Sequence, residues 1–178
     1  PACTPRLPNS PPRHSATPID PAGIVVSNGA KQSLFNACFC LFGPGDEVLV
    51  GAPYWTSYPE MIGLSRAKPV TVAGPESNGF KLTPDALSAA TTEHTRGLLF
   101  STPSNPSGAV YSESELLEIV GWARDRGIRL IADEIYQRIY YGDGPAPGLL
   151  PLPPEMAGPP VPLNGAATRF AMPVLPHG

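Results

Sequence analysis

Prolines decide which parts of this chain can pack. The 178 residues hold 25 of them, against a usual share of ~5%. Seven fall in residues 1–22 and ten in residues 143–178, which leaves eight for the 120 residues between. Each proline removes a backbone donor and fixes φ, so the two ends are poor material for packed helices or sheet. The expected organisation is an atypical proline-rich segment at 1–22, a globular core at 23–142 and a second atypical tract at 143–178.

Within the core, strand and helix patterns alternate. "GIVVSNGA" (23–30) reads as a short β-branched strand ending in a turn. "KQSLFNACFCLF" (31–42) reads as a helix with Leu34, Ala37, Cys38 and Leu41 on one face. Strands are expected at 47–51, 69–74, 96–101 and from 128 into "ADEIY" (132–136). "TPDALSAA" (83–90) has Thr83 as N-cap with proline at the first helical position, and Ser112 and Glu115 stand at capping-box spacing before a helix ending at Gly127. Strands separated by helices predict an α/β three-layer sandwich with a mainly parallel sheet.

Ligands in such sheets collect beyond the carboxyl ends of the strands. Three polar stretches are expected there: "SNG" after 24–26, "STPSNPSG" (101–108) after 97–100, and "DE" after 128–132. "SNGAKQ" (27–32) is either a turn with an N-cap or a phosphate seat at a helix start, with Ser27 and Lys31 beside it. It lacks the spacing of a nucleotide P-loop. Asp133 is either a strand end reaching water or a carboxylate paired with a ligand cation; Glu134 would face the other way, which argues against a shared metal site. The aromatics of "APYWTSYPE" (52–60) are either core residues or, at Trp55, a lid over a planar heterocycle. Asn105 is an amide held between two prolines.

"VVSNGAKQSLFNA", "GDEVLVGAPYWTSYPEM", "STPSNPSGAVYS" and "LIADEIYQRIYY", in this order and spacing, resemble the large domain of the fold-type I, class I/II pyridoxal-phosphate-dependent aminotransferases, in their aspartate aminotransferase-like branch. The resemblance implies pyridoxal 5'-phosphate as cofactor, an amino acid and a 2-oxo acid as small-molecule substrates, and a homodimer. It implies that Gly29, Ala30 and Lys31 form the phosphate-binding turn and that Trp55 stacks on the cofactor ring. Asn105 and Tyr136 would bond the ring hydroxyl oxygen, and Asp133 would pair with the ring nitrogen.

The segment 163–172 also resembles the family's lysine loop, through Asn164, Gly165, Ala166, Ala167, Phe170, Ala171 and Met172. The Schiff-base lysine position is Thr168, however, and a threonine forms no imine. Arg169 is no substitute, since its guanidinium stays protonated. After Met172 the family's glycine–tryptophan–arginine sequence gives way to "PVLPHG".

The resemblance therefore implies an aminotransferase acting on an aspartate-like amino acid but inactive as written, with a non-catalytic cofactor-binding or dimerisation pseudoenzyme as the alternative. Similarity that ends at proline-rich tracts is expected of a truncated or frame-shifted reading, which would lack the N-terminal arm and the small C-terminal domain. A genuine chain with unusual tails is the other reading.

Other classes fit less well. A formal charge of −3 and a pI near 5.6 give no sign of a nucleic-acid partner. No apolar stretch approaches the ~20 residues that span a bilayer, and no leader pattern opens the sequence. The chain also lacks the glycine spacing of a nicotinamide site. Cys3, Cys38 and Cys40 lack metal-site spacing; Cys38 and Cys40 are expected as buried, inert thiols in a reducing cytoplasm.

Overall fold

The computed structural model describes residues 21–149 and 161–165. Cys3, Thr168 and Arg169 lie outside them. Nine helices and strands set out the site among the described residues. In chain order the first eight are α1 (Ala30–Leu41), β1 (Glu47–Ala52), α2 (Ser57–Leu64), β2 (Lys68–Ala73), α3 (Pro84–Ala90), β3 (Thr95–Ser101), α4 (Glu113–Asp125) and β4 (Arg129–Asp133). A short β5 (Val161–Leu163) follows, and a 3-10 turn at Glu76–Asn78 interrupts the path from β2 to α3. The strands form one sheet in the order β2-β1-β3-β4-β5, with every pair parallel.

The three layers follow from alternation along each strand. Val48 and Val50 of β1, Leu99 of β3 and Ile131 of β4 face α1 and α2, where they meet Leu34, Cys38, Tyr58, Met61 and Ile62. Leu49, Leu98, Phe100 and Leu130 face the other way, onto Leu87 of α3 and Leu116, Ile119 and Trp122 of α4. Strands buried on both faces read as continuous apolar runs, as parallel strands must when helices cover both sides. Gly97 makes one close approach possible: a Cβ there would lie 2.3 Å from the ring of Phe42.

Helix ends form where side chains satisfy the exposed N–H groups. Thr83 accepts from Ala86 N at 3.2 Å, with Pro84 at the first helical position. Ser112 accepts from Glu115 N at 3.3 Å, while the Glu115 carboxylate accepts from Ser112 N at 2.7 Å, completing the capping box.

Three expectations are corrected. Residues 24–26 form no strand, and Ile24, Val25 and Val26 are exposed. A β-branched run becomes a strand only beside a partner, and among the described residues none lies there. Residues 57–64, for which no element is expected from the sequence, form α2; Pro59 falls in its first turn, where its missing N–H has no helical partner to lose. Cys40 is exposed although Cys38 is buried, because two residues along a helix turn a side chain to the opposite flank.

The proline-rich tract also contributes a strand. Leu163 O accepts from Glu134 N at 2.8 Å, so the nitrogen of Pro162 is directed away from β4, to the side where no strand pairs with β5 among the described residues. Among the described residues, no helix is long and apolar enough to cross a membrane, and no group of three or more His, Cys, Asp or Glu could hold a metal ion.

Candidate functional site

β1, β3, β4 and β5 end side by side, with the start of α1 against the last. Ser101, the final residue of β3, is in register with Asp133, and Asp133 with Leu163. A Cβ on Gly165, just past β5, would stand 3.7 Å from the Cβ of Ala30. This edge gathers most of the residues expected at a site.

Asp133 is the last residue of β4 and is 4% exposed. Its Oδ2 accepts from the Tyr58 hydroxyl at 2.7 Å and its Oδ1 from Ile135 N at 3.3 Å. Burial pushes the carboxyl above its ordinary range, and these two bonds pull it partly back. Asp133 makes no ion pair among the described residues. It is a buried acid served by neutral donors, and a ligand cation would gain a charge-assisted hydrogen bond here.

Tyr58 was not singled out in the sequence. It lies one helical turn beyond Trp55, and that i, i+3 spacing is the only local signal for it. Its ring meets Trp55 edge to face at 5.7 Å between centroids. Burial raises its hydroxyl pKa first, and the neighbouring Asp133 charge raises it further, so it stays a donor. Lys31, in the first turn of α1, holds its Nζ over the Trp55 ring at 4.8 Å from the centroid.

The turn into α1 needs Gly29, whose φ is +87°. Gly29 brings no capping side chain to the first-turn N–H groups, and such groups at a helix start attract anions. The neighbouring polar atoms are engaged locally: Ser27 bonds Ser33 through their hydroxyls, and Asn28 N donates to Gln32 Oε1 at 2.6 Å.

Asn105 sits in the loop after β3, in which the Thr102–Pro103 and Asn105–Pro106 bonds are cis. Its Nδ2 donates to the Tyr136 hydroxyl at 3.2 Å. Thr102 N donates to Asp133 O at 3.1 Å, which ties that loop to β4.

Glu134 belongs to a different structure. It is fully buried, and its Oε1 accepts from Leu149 N at 2.6 Å while Oε2 has no partner. Burial pushes its carboxyl up to about 7. With Ala146 N donating to Gln137 O at 2.9 Å, it fastens residues 143–149 over the end of β4.

The model of the family "Aminotransferase class I and II" matches residues 7–174. The chain belongs to this family. The match begins and ends beyond 23–142, the span that carries the clearest motifs. The chain is 42% identical over 160 residues to an aspartate aminotransferase of Streptomyces avermitilis, covering 90% of this chain and 39% of that protein. It is 36% identical to an aspartate aminotransferase of Geobacillus stearothermophilus, again over 90% of this chain, and 41% of that one.

Among solved structures, aspartate aminotransferase from Thermus thermophilus with maleate superposes with a TM-score of 0.77 at 37% identity, covering 86% of this chain and 39% of that chain. An aromatic aminotransferase from Pyrococcus horikoshii gives 0.81 at 31% identity, with 86% and 41% covered. The chain thus spans about two-fifths of the length of these relatives. The fold is that of the α/β pyridoxal-phosphate-dependent transferases, represented in part.

Proposed function

We propose that this chain is the cofactor-holding part of an aminotransferase that moves an amino group between an aspartate-like amino acid and a 2-oxo acid, and that with threonine at position 168 it binds pyridoxal 5'-phosphate without turning over. Asp133 carries the reading. A buried carboxyl with no cationic partner among the described residues, at the carboxyl end of a parallel strand, suits a protonated ring nitrogen. When bound, the cofactor supplies an electron sink for charge that develops on the substrate's α-carbon.

The residues present fit that group. Asp133 would keep the ring nitrogen protonated, and Tyr58 would hold Asp133 in place. Trp55 offers an aromatic face, and Asn105 and Tyr136, already bonded to each other, would share the ring hydroxyl oxygen. The turn Gly29–Ala30–Lys31 offers first-turn N–H groups to the phosphate. Position 168 supplies no amine. That observation favours a second reading, a pseudoenzyme that retains the cofactor or serves a homodimer of the kind usual in the family.

Equilibrium dialysis of the full chain against pyridoxal phosphate tests the proposal. Saturable binding that Asp133→Asn weakens at least ~10-fold, about 1.4 kcal/mol, with no 2-oxo acid formed from aspartate, is the expected result. Absence of saturable binding overturns it. Steady turnover would return the chain to the active members of the family.

A further inference from the structure

The chain has only three lysines, Lys31, Lys68 and Lys81, and the fold treats them differently. Lys68 bonds Glu47 at 2.8 Å at the amino end of the sheet, away from the site. Lys81 is paired with Glu115. Lys31 makes no ion pair among the described residues, and its Nζ rests on the Trp55 ring at 4.8 Å from the centroid. Such a cation–π contact is weak at an exposed site, so it does not lock the side chain.

We infer that Lys31 is the carbonyl-capturing amine of this cradle: an aromatic aldehyde bearing a phosphate, seated against Trp55, becomes covalently held on Lys31 Nζ. The inference rests on the cofactor reading above and adds a residue to it. Two observations converge on this side chain. The loop that should supply an amine has Thr168 instead. The lysine with no ion pair among the described residues reaches the aromatic face on which the aldehyde's ring would lie, from the same turn whose N–H groups would hold the phosphate. Anchoring the phosphate at the foot of Lys31 and the ring at its tip raises the effective concentration of aldehyde at Nζ above that at any other amine.

The step balances without an oxidant. The Lys31 ammonium releases a proton to water, and its nitrogen pair adds to the aldehyde carbon. The carbonyl oxygen leaves as water while the carbon–nitrogen double bond forms. Borohydride then delivers hydride to that carbon and water a proton to the nitrogen, which fixes the adduct as a secondary amine.

The full chain is incubated with sub-saturating pyridoxal phosphate, reduced with borohydride, digested and mapped by peptide mass. The adduct is expected on Lys31 at least ~10-fold over Lys68 and Lys81, the ratio that an effective-concentration advantage of that size gives. Trp55→Ala should bring Lys31 down towards the level of the other two. Lys31→Arg should abolish site-selective labelling. Label spread evenly over the three lysines overturns the inference, as does selective labelling that survives in Lys31→Arg. Saturable binding with no Lys31 adduct overturns this inference alone; absence of saturable binding in every form overturns the cofactor reading with it.

Discussion

The Tyr58 hydroxyl donates to Asp133 Oδ2 at 2.7 Å, joining α2 to the end of β4 across 75 positions of sequence. Both partners are buried, so neither finds a substitute in water. Tyr58→Phe keeps the ring and its edge contact with Trp55 but removes the donor. A bond to an ionisable partner is worth about 1.5–3 kcal/mol, and a loss of that order is expected in urea unfolding at unchanged m value. Asp133 is raised by burial and lowered by this bond, so the loss should be larger at pH 8, where a carboxylate must be stabilised, than at pH 5. An equal loss at both would mean that the hydroxyl serves packing only.

Gly97 lies in the middle of β3, against the ring of Phe42 at the end of α1. An added Cβ would stand 2.3 Å and 2.5 Å from Phe42 Cζ and Cε1. Phe42 is itself buried, so the ring cannot swing into solvent without losing its packing. Gly97→Ala should destabilise by about 1–3 kcal/mol through overpacking. The double variant with Phe42→Leu should recover part of the loss, measured by the same unfolding midpoints.

Most of the sheet and the α3 and α4 caps were legible because their causes are local. Apolar runs such as 48–50 and 97–100 can be buried only between two layers, and Thr83, Ser112 and Glu115 make their bonds within one helical turn. What escaped depends on distant partners. Ile24–Val26 has strand composition but, among the described residues, no neighbouring strand, and Pro162 sits in a strand because its nitrogen points away from β4, which its own segment does not reveal. At the candidate site, Asp133, Asn105 and Trp55 are candidates that strand ends and loop chemistry already suggest. Tyr58 is not among them, since a tyrosine in an apolar stretch looks the same whether its hydroxyl meets water or a buried acid.

The two described cysteines should separate on alkylation. Cys38 is fully buried on the inner face of α1, and burial pushes its thiol from 9.0 up to about 11, which cuts the thiolate present near neutral pH by ~100-fold. Cys40 is exposed on the same helix. Iodoacetamide on the folded chain should label the Cys40 side at once and the Cys38 side only after denaturant, as read by fragmentation of the peptide that carries both. Simultaneous labelling would mean that α1 is not docked.

Glu134 should make the chain less stable as pH rises. It is fully buried, with Leu149 N on Oε1, nothing on Oε2, the Asp133 carboxyl nearby and Arg138 Nε buried without a partner of its own. Folding raises its pKa from 4.5 to about 7. The folded state therefore binds more protons than the unfolded state across that window, and stability falls as pH climbs through it. The difference corresponds to about 3 kcal/mol lost between pH 4.5 and 7, and Asp133, also raised by burial, acts in the same direction. Glu134→Gln keeps an acceptor for Leu149 N and cannot ionise. It should match the parent near pH 4.5, exceed it by about 2–3 kcal/mol at pH 8, and keep only the Asp133 share of the slope. Gly148→Ala should lower the midpoint at every pH, because its Cβ would meet both Glu134 oxygens, at 2.8 Å and 2.9 Å, and Gln137 Nε2 at 2.7 Å. Urea midpoints from pH 4.5 to 8 decide the matter, and parallel curves for parent and Glu134→Gln would mean that the buried carboxyl is not the titrating group.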